Sequence, residues 1–166
     1  MAGSDALAII AEVSLGLAGF TGVVVVLGRV ERDAFLRLRL SFLLSVSFGA
    51  MLLALLPFAL SELSLSTHQV WLIATLLLSP CGVAIALAHT PAMLRNRREH
   101  PGVLRPAALV ANYGLSLVSS LCGVIGLAVP SERVGAYLAG LIFLVCSAVF
   151  TFIRILFTHP RSSSAA

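Results

Sequence analysis

The chain contains no lysine; all eleven of its basic residues are arginine. It is poor in charge altogether, with 11% charged residues in 166, against about 25% in a soluble domain. Nothing charged lies between Arg39 and Glu62, Glu62 and Arg95, Arg105 and Glu132, or Arg133 and Arg154. Each absence excludes a chemistry. Without lysine there is no retinal-type Schiff base. No aspartate falls inside an apolar stretch, so an aspartyl dyad is excluded, and neither H-E-x-x-H nor a P-loop occurs. Gly114-Leu115-Ser116 runs on into Leu117 and Val118, so the G-x-S-x-G nucleophile elbow is missing. His68 and His89 stand at opposite ends of one apolar stretch and cannot share a haem within one copy. No catalytic, cofactor or metal residue is assigned, and the chain reads as a non-enzyme.

Two further shortages bear on partners and compartment. Cys81, Cys122 and Cys146 form no C-x-x-C pair and lie in apolar surroundings. They read as small buried packing residues rather than a disulfide framework. The arginines are not gathered with aromatic stacking platforms, so the net charge of +4 gives no nucleic-acid partner. The first apolar stretch lacks a basic lead and carries Glu12, so it reads as a retained helix rather than a cleaved signal.

What the chain has is apolar length. Its residues are 59% hydrophobic and the mean hydropathy is +1.05, more apolar surface than a water-soluble core absorbs. At ~1.5 Å rise per residue, about 20 apolar residues cross a ~30 Å hydrocarbon layer. Five stretches meet this length: Ala6 to Gly28, Leu40 to Ser61, Val70 to Leu94, Ala107 to Val129 and Val134 to Phe157. Lipid offers no hydrogen bonds, so they are expected to be helices. The fold class is therefore an all-α polytopic transmembrane bundle, one membrane domain over residues 1–161 with a disordered tail at 162–166. Asp5, Thr67 and Ser131 are the expected N-caps, and Pro106 suits a first helical turn. Pro80 is expected to kink the third helix and Pro91 to end it near His89. The segment Glu31 to Arg39, with Asp33 and Arg37 four apart, is an expected helical lead-in to the second span.

The arginines orient the bundle. Arg29, Arg32, Arg37 and Arg39 follow the first span. Arg95, Arg97, Arg98 and Arg105 follow the third, and Arg154 and Arg161 close the chain. With five spans these groups share one side, opposite Arg133, Asp5, Glu62 and Glu132. The positive-inside rule then puts the N-terminus out and the C-terminus in. Trp71 and Tyr137, near outer helix ends, read as interfacial anchors.

Helices in lipid associate through small residues and hydrogen bonds, so polar stripes at helical spacing are the candidate functional features. Glu12 lies about 9 Å into its helix, where a carboxylate costs about 3 kcal/mol on insertion scales. Its neighbours Ala8, Gly16 and Gly19 fit burial against another helix. It could carry a proton or cation, lock a partner helix, or reach the outer headgroups. The fourth span carries Asn112, Ser116, Ser119, Ser120, Gly123 and Gly126 at steps of three and four. Such a stripe packs helices or lines a polar path; Glu12, Asn112, Ser116, Ser119 and Ser120 are the candidate path. At the inner side, His89, Tyr113 and Arg154 form a candidate cluster, each with a local alternative: a backbone-bonded helix-end histidine, or an arginine snorkelling to the interface.

The run Ala11-Glu12-Val13-Ser14-Leu15-Gly16-Leu17-Ala18-Gly19-Phe20 resembles the first helix of small polytopic bacterial inner-membrane proteins. Tyr137-Leu138-Ala139-Gly140-Leu141 and Phe152-Ile153-Arg154 extend the resemblance into the last span. It implies a multi-pass fold and no particular activity, so it assigns no functional residue. The expected function is a small oligomeric channel or transporter for ions, protons or a small solute. The alternative is a non-catalytic subunit or scaffold of a larger membrane complex. The expected partners are the lipid bilayer and either a second copy or another membrane protein.

Overall fold

Each apolar stretch becomes a helix, because a helix is the one open-ended element that satisfies its own backbone without water. The structure, a computed structural model, describes residues 3–27, 34–99 and 106–157. It consists of α1 (Ser4–Leu27), α2 (Ala34–Ser61), α3 (Thr67–Glu99), α4 (Pro106–Ala128), a 3-10 turn (Pro130–Glu132) and α5 (Arg133–Phe157). It is 95% helical with no strand among the described residues. Among the described residues four helices are long and apolar enough to cross a membrane; on α4 the apolar part is the shorter Tyr113–Ala128. Large side chains such as Leu87, Leu52 and Val110 are 66%, 62% and 71% exposed, a surface suited to lipid rather than water.

Helix boundaries differ from the sequence reading in instructive ways. The cap of α3 is Ser66, not Thr67. Gln69 Oε1 accepts from the Ser66 backbone N–H at 3.0 Å, and the Gln69 N–H reaches Ser66 Oγ at 3.4 Å, a capping box. Ser131 falls inside the 3-10 turn and caps nothing, Asp5 sits in the first turn of α1, and Pro106 opens α4. Helix α2 begins at Ala34, so Arg37 and Arg39 are helical as the lead-in predicts. Asp33 and the tail 162–166 lie outside the described residues.

Pro91 does not end α3, which continues to Glu99. An internal proline removes one N–H and strands the carbonyl four residues earlier; the helix persists if other groups take up the slack. At Pro57 a neighbouring helix supplies them. Pro57 cannot bond the Leu53 carbonyl, and the Tyr137 hydroxyl of α5 donates to it instead. Beyond Pro80, the Val83 N–H donates to Ser120 Oγ of α4 at 3.1 Å.

The contacts set the topology. Phe42 meets His89 and Gly49 lies beside Ile85 and Cys81, so α2 and α3 are antiparallel. Gly82 meets Ser116 and Gly126 meets Thr75, so α3 and α4 are antiparallel too. Gly3 lies against Leu138 and Phe20 against Phe152, so α1 runs with α5. Helix α5 packs on all four others. Its buried stripe is Arg133, Tyr137, Gly140, Leu141, Leu144, Ser147, Ala148 and Thr151. Around it the core gathers Leu7 and Ile10 of α1, Phe42, Val46 and Leu53 of α2, and Trp71 and Leu78 of α3. Trp71 and Tyr137 are core residues and not interfacial anchors: both are buried, ring edge to face at 5.7 Å.

Candidate functional site

The two halves of the candidate polar path lie in different places. Glu12 is on the exposed face of α1, with Ala8, Gly16, Gly19 and Gly22. A methyl group added at Gly16, Gly19 or Gly22 would meet nothing within 4 Å. The burial against a helix of the same chain that the stripe suggests is therefore not found: α1 packs on α2 and α5 through its other face, with Leu7, Ile10, Ala11, Ser14 and Ala18 buried.

Ser116, Ser119 and Ser120 are buried where α4 meets α3 and α5. These helices touch at backbone distance. A Cβ at Gly82 would stand 2.0 Å from the Ser116 carbonyl oxygen, and one at Gly123 would stand 2.7 Å from Ser79 Cα. A Cβ at Gly140 would lie 2.7 Å from Leu78 Cδ2 and 3.1 Å from the Ser119 carbonyl oxygen. The serines are here the small residues that let the backbones approach. Ser120 gives the Val83 N–H its acceptor, while the Ser119 hydroxyl makes no hydrogen bond. Ser14 and Ser47, buried on α1 and α2, are likewise unbonded through their hydroxyls. The Asn112 side chain lies outside the described groups.

The inner cluster is partly assembled. His89 and Tyr113 both flank Phe42, at ring-centroid distances of 5.3 and 6.4 Å. His89 Nε2 is 3.2 Å from Ser45 Oγ, and the Tyr113 hydroxyl donates to Met93 Sδ at 3.3 Å. These contacts tie α2, α3 and α4 together. Arg154 is placed on α5 with its guanidinium over Phe150, 5.8 Å from the ring centroid and one turn back on its own helix.

The Ser45–His89 pair resembles a nucleophile beside a base, but its setting does not support acyl transfer. Ser45 is in mid-helix, where backbone N–H groups are committed to the ladder and none is left for an oxyanion. Among the described residues no carboxylate orients the other ring nitrogen of His89. Among the described residues, no group of three or more His, Cys, Asp or Glu could hold a metal ion. Cys81, Cys122 and Cys146 are free thiols, and Cys146 is exposed rather than buried.

Two features were not anticipated from the sequence. Arg133, the one arginine outside the three groups, is only 5% exposed. Its Nε donates to the Gly126 carbonyl at 3.1 Å and its Nη1 to His68 Nε2 at 3.0 Å. Gly126 is in the last turn of α4, so the cation also meets the negative end of that helix. The second is the Tyr137 bond to Leu53. Each had a visible signal, an arginine that breaks the charge asymmetry and a proline that strands a carbonyl. Neither signal names the partner, which arrives from a distant helix. Compared with protein-family models, with curated proteins and with solved structures, the chain finds no match in any of the three.

Proposed function

We propose that the chain is a non-catalytic subunit of a membrane assembly, with α1 as the helix turned to its partner. The carrying observation is Glu12 on an exposed face beside Gly16, Gly19 and Gly22. A carboxylate and three open glycines facing lipid cost free energy twice, through charge and through helix propensity. Both costs fall when another helix covers them, because glycine admits close approach and a carboxyl can hydrogen-bond across the contact. The test is purification in mild detergent followed by native mass spectrometry. A stoichiometric partner or a second copy is expected, with association weakened about tenfold or more by Gly19→Leu, as for a bulky residue in a packed contact. A lone, stable particle whose behaviour Gly19→Leu leaves unchanged would overturn the reading.

The second reading is an oligomeric channel or transporter, and the same carboxylate favours it: between copies, Glu12 would face a shared interior. A route inside one copy draws no support from Ser116, Ser119 and Ser120, which are closed off by helix contact. In liposomes, Glu12→Gln is expected to alter any ion or proton flux; an unchanged flux removes this reading.

In both readings the chain crosses the bacterial cytoplasmic membrane five times, N-terminus out and C-terminus in. The support is the sidedness of the arginines, and the placement of α4 alongside α3 from Thr75 to Gly82. Single cysteines at Ser66 and Asn96, in a background without the native thiols, are expected to label from opposite sides of the membrane. Labelling from one side would exclude five spans.

A further inference from the structure

We propose that the His68–Arg133 contact is a proton-sensitive clasp that holds the start of α3 to the junction of α4 and α5. An arginine side chain can only donate hydrogen bonds. With Arg133 Nη1 at 3.0 Å from His68 Nε2, that nitrogen must be the acceptor, and the ring proton must sit on Nδ1. The contact therefore exists only with a neutral imidazole. A proton on Nε2 abolishes the acceptor and sets a second cation 3.0 Å from the first.

The surroundings make the two partners unequal. Arg133 is buried and anchored through Nε to the Gly126 carbonyl at 3.1 Å, so it cannot retreat without uncovering the last turn of α4. His68 is exposed, in the first turn of α3, so it is the partner that leaves. The other charged groups at this end of the bundle are Asp5 on α1, Glu62 after α2 and Glu132 in the 3-10 turn, all exposed. None forms an ion pair with Arg133 or His68 among the described residues. Helix α4 contributes only backbone here, its nearest titratable side chain being Cys122, one turn before Gly126. From α3, Trp71 and Thr75 are the nearby buried groups, and neither titrates in the relevant range. No carboxylate therefore stands ready to neutralise a protonated His68.

Acid thus acts at one point: it frees the first turn of α3 from α5 while Arg133 stays on α4. The Pro80 region, where α3 donates a hydrogen bond to α4, lies below the point of release, so the loosening is confined to the end carrying the α2–α3 and α4–α5 turns.

The test uses the full chain in mild detergent, with hydrogen–deuterium exchange at pH 7.5 and pH 5.5 corrected for intrinsic rate. Exchange in residues 67–72 and 126–135 is expected to rise severalfold on acidification in the wild type. In His68→Gln the amide oxygen accepts from Arg133 at both pH values, so no rise is expected there. The thermal midpoint should follow, with a drop on acidification about 4 °C larger in the wild type than in the variant. This difference separates His68 from the other three histidines, which both proteins share. Equal acid responses in the two proteins would overturn the proposal. If His68→Gln does not yield folded protein, the wild type decides alone: exchange at the clasp that is indifferent to pH overturns it.

Discussion

Gly82→Val is expected to disrupt the α3–α4 pair and to be the most damaging single substitution at any glycine. A Cβ at Gly82 would lie 2.0 Å from the Ser116 carbonyl oxygen and 2.7 Å from Ser120 Oγ. The serine hydroxyl can rotate away; the carbonyl belongs to the α4 backbone and cannot. Relief requires the helices to move apart. That separation strains the Val83–Ser120 hydrogen bond and opens the neighbouring contact of Gly123 with Ser79. Overpacking in a close-fitted core costs about 1–3 kcal/mol and occasionally more. Two backbones in direct contact place this case at the upper end, a large part of a typical total of about 5–15 kcal/mol. The measurement is the thermal midpoint and the size-exclusion profile of detergent-purified protein. Gly82→Val should lower the midpoint by 10 °C or more, a figure on the order of the shift for ~3 kcal/mol in a chain of this length. Gly114→Ala is the control within α4: its Cβ would meet nothing within 4 Å, and alanine raises helix propensity, so stability should hold or rise. A Gly82→Val protein as stable as wild type would refute backbone contact between α3 and α4.

Tyr137→Phe is expected to destabilise the protein by about 1–3 kcal/mol, the cost of leaving a buried acceptor unsatisfied. The tyrosine and phenylalanine rings have nearly the same shape, so packing against Trp71 is retained and the loss reports the hydroxyl. Its partner, the Leu53 carbonyl, is available because Pro57 has no N–H to give it. This sets up a coupling that can be measured. In a Pro57→Ala background the alanine N–H can close the helix onto Leu53, and Tyr137→Phe should then cost clearly less than it does alone. Equal losses in the two backgrounds would show that the tyrosine and the proline are independent.

These two results rest on features with different visibility in the sequence. The helical type of the elements was readable because hydrocarbon thickness sets the length of an apolar helix and lipid requires its hydrogen bonds to be local. Helix ends were less readable. Ser66 outcompetes Thr67 as a cap through Gln69, and Pro91 is carried within α3. Small-residue stripes were visible on α1 and α4, but small residues have two fates in this fold. Gly82, Gly123 and Gly140 are pressed against other helices of the chain, whereas Gly16, Gly19 and Gly22 face outward beside Glu12. Nothing in the spacing distinguishes the two. The inner cluster was half legible: His89 and Tyr113 share Phe42, an aromatic with no polar atom to draw attention, while Arg154 lies over Phe150 on its own helix.

By itself the sequence determined an all-helical chain of apolar segments suited to a membrane, with ten of its eleven arginines gathered in three places. Those properties follow from each segment's own length and composition. Only the tertiary structure decided which faces meet. Leu7 is fully buried and Ile9 is 60% exposed, two residues apart on α1 and equally apolar. In water, hydrophobicity would have separated them. In lipid the surroundings are as apolar as the protein interior, so hydropathy cannot choose a face. The choice falls to backbone contact at glycine and serine, and to a few polar groups such as Tyr137, Ser120 and Arg133 that reach from one helix to the unsatisfied backbone of another.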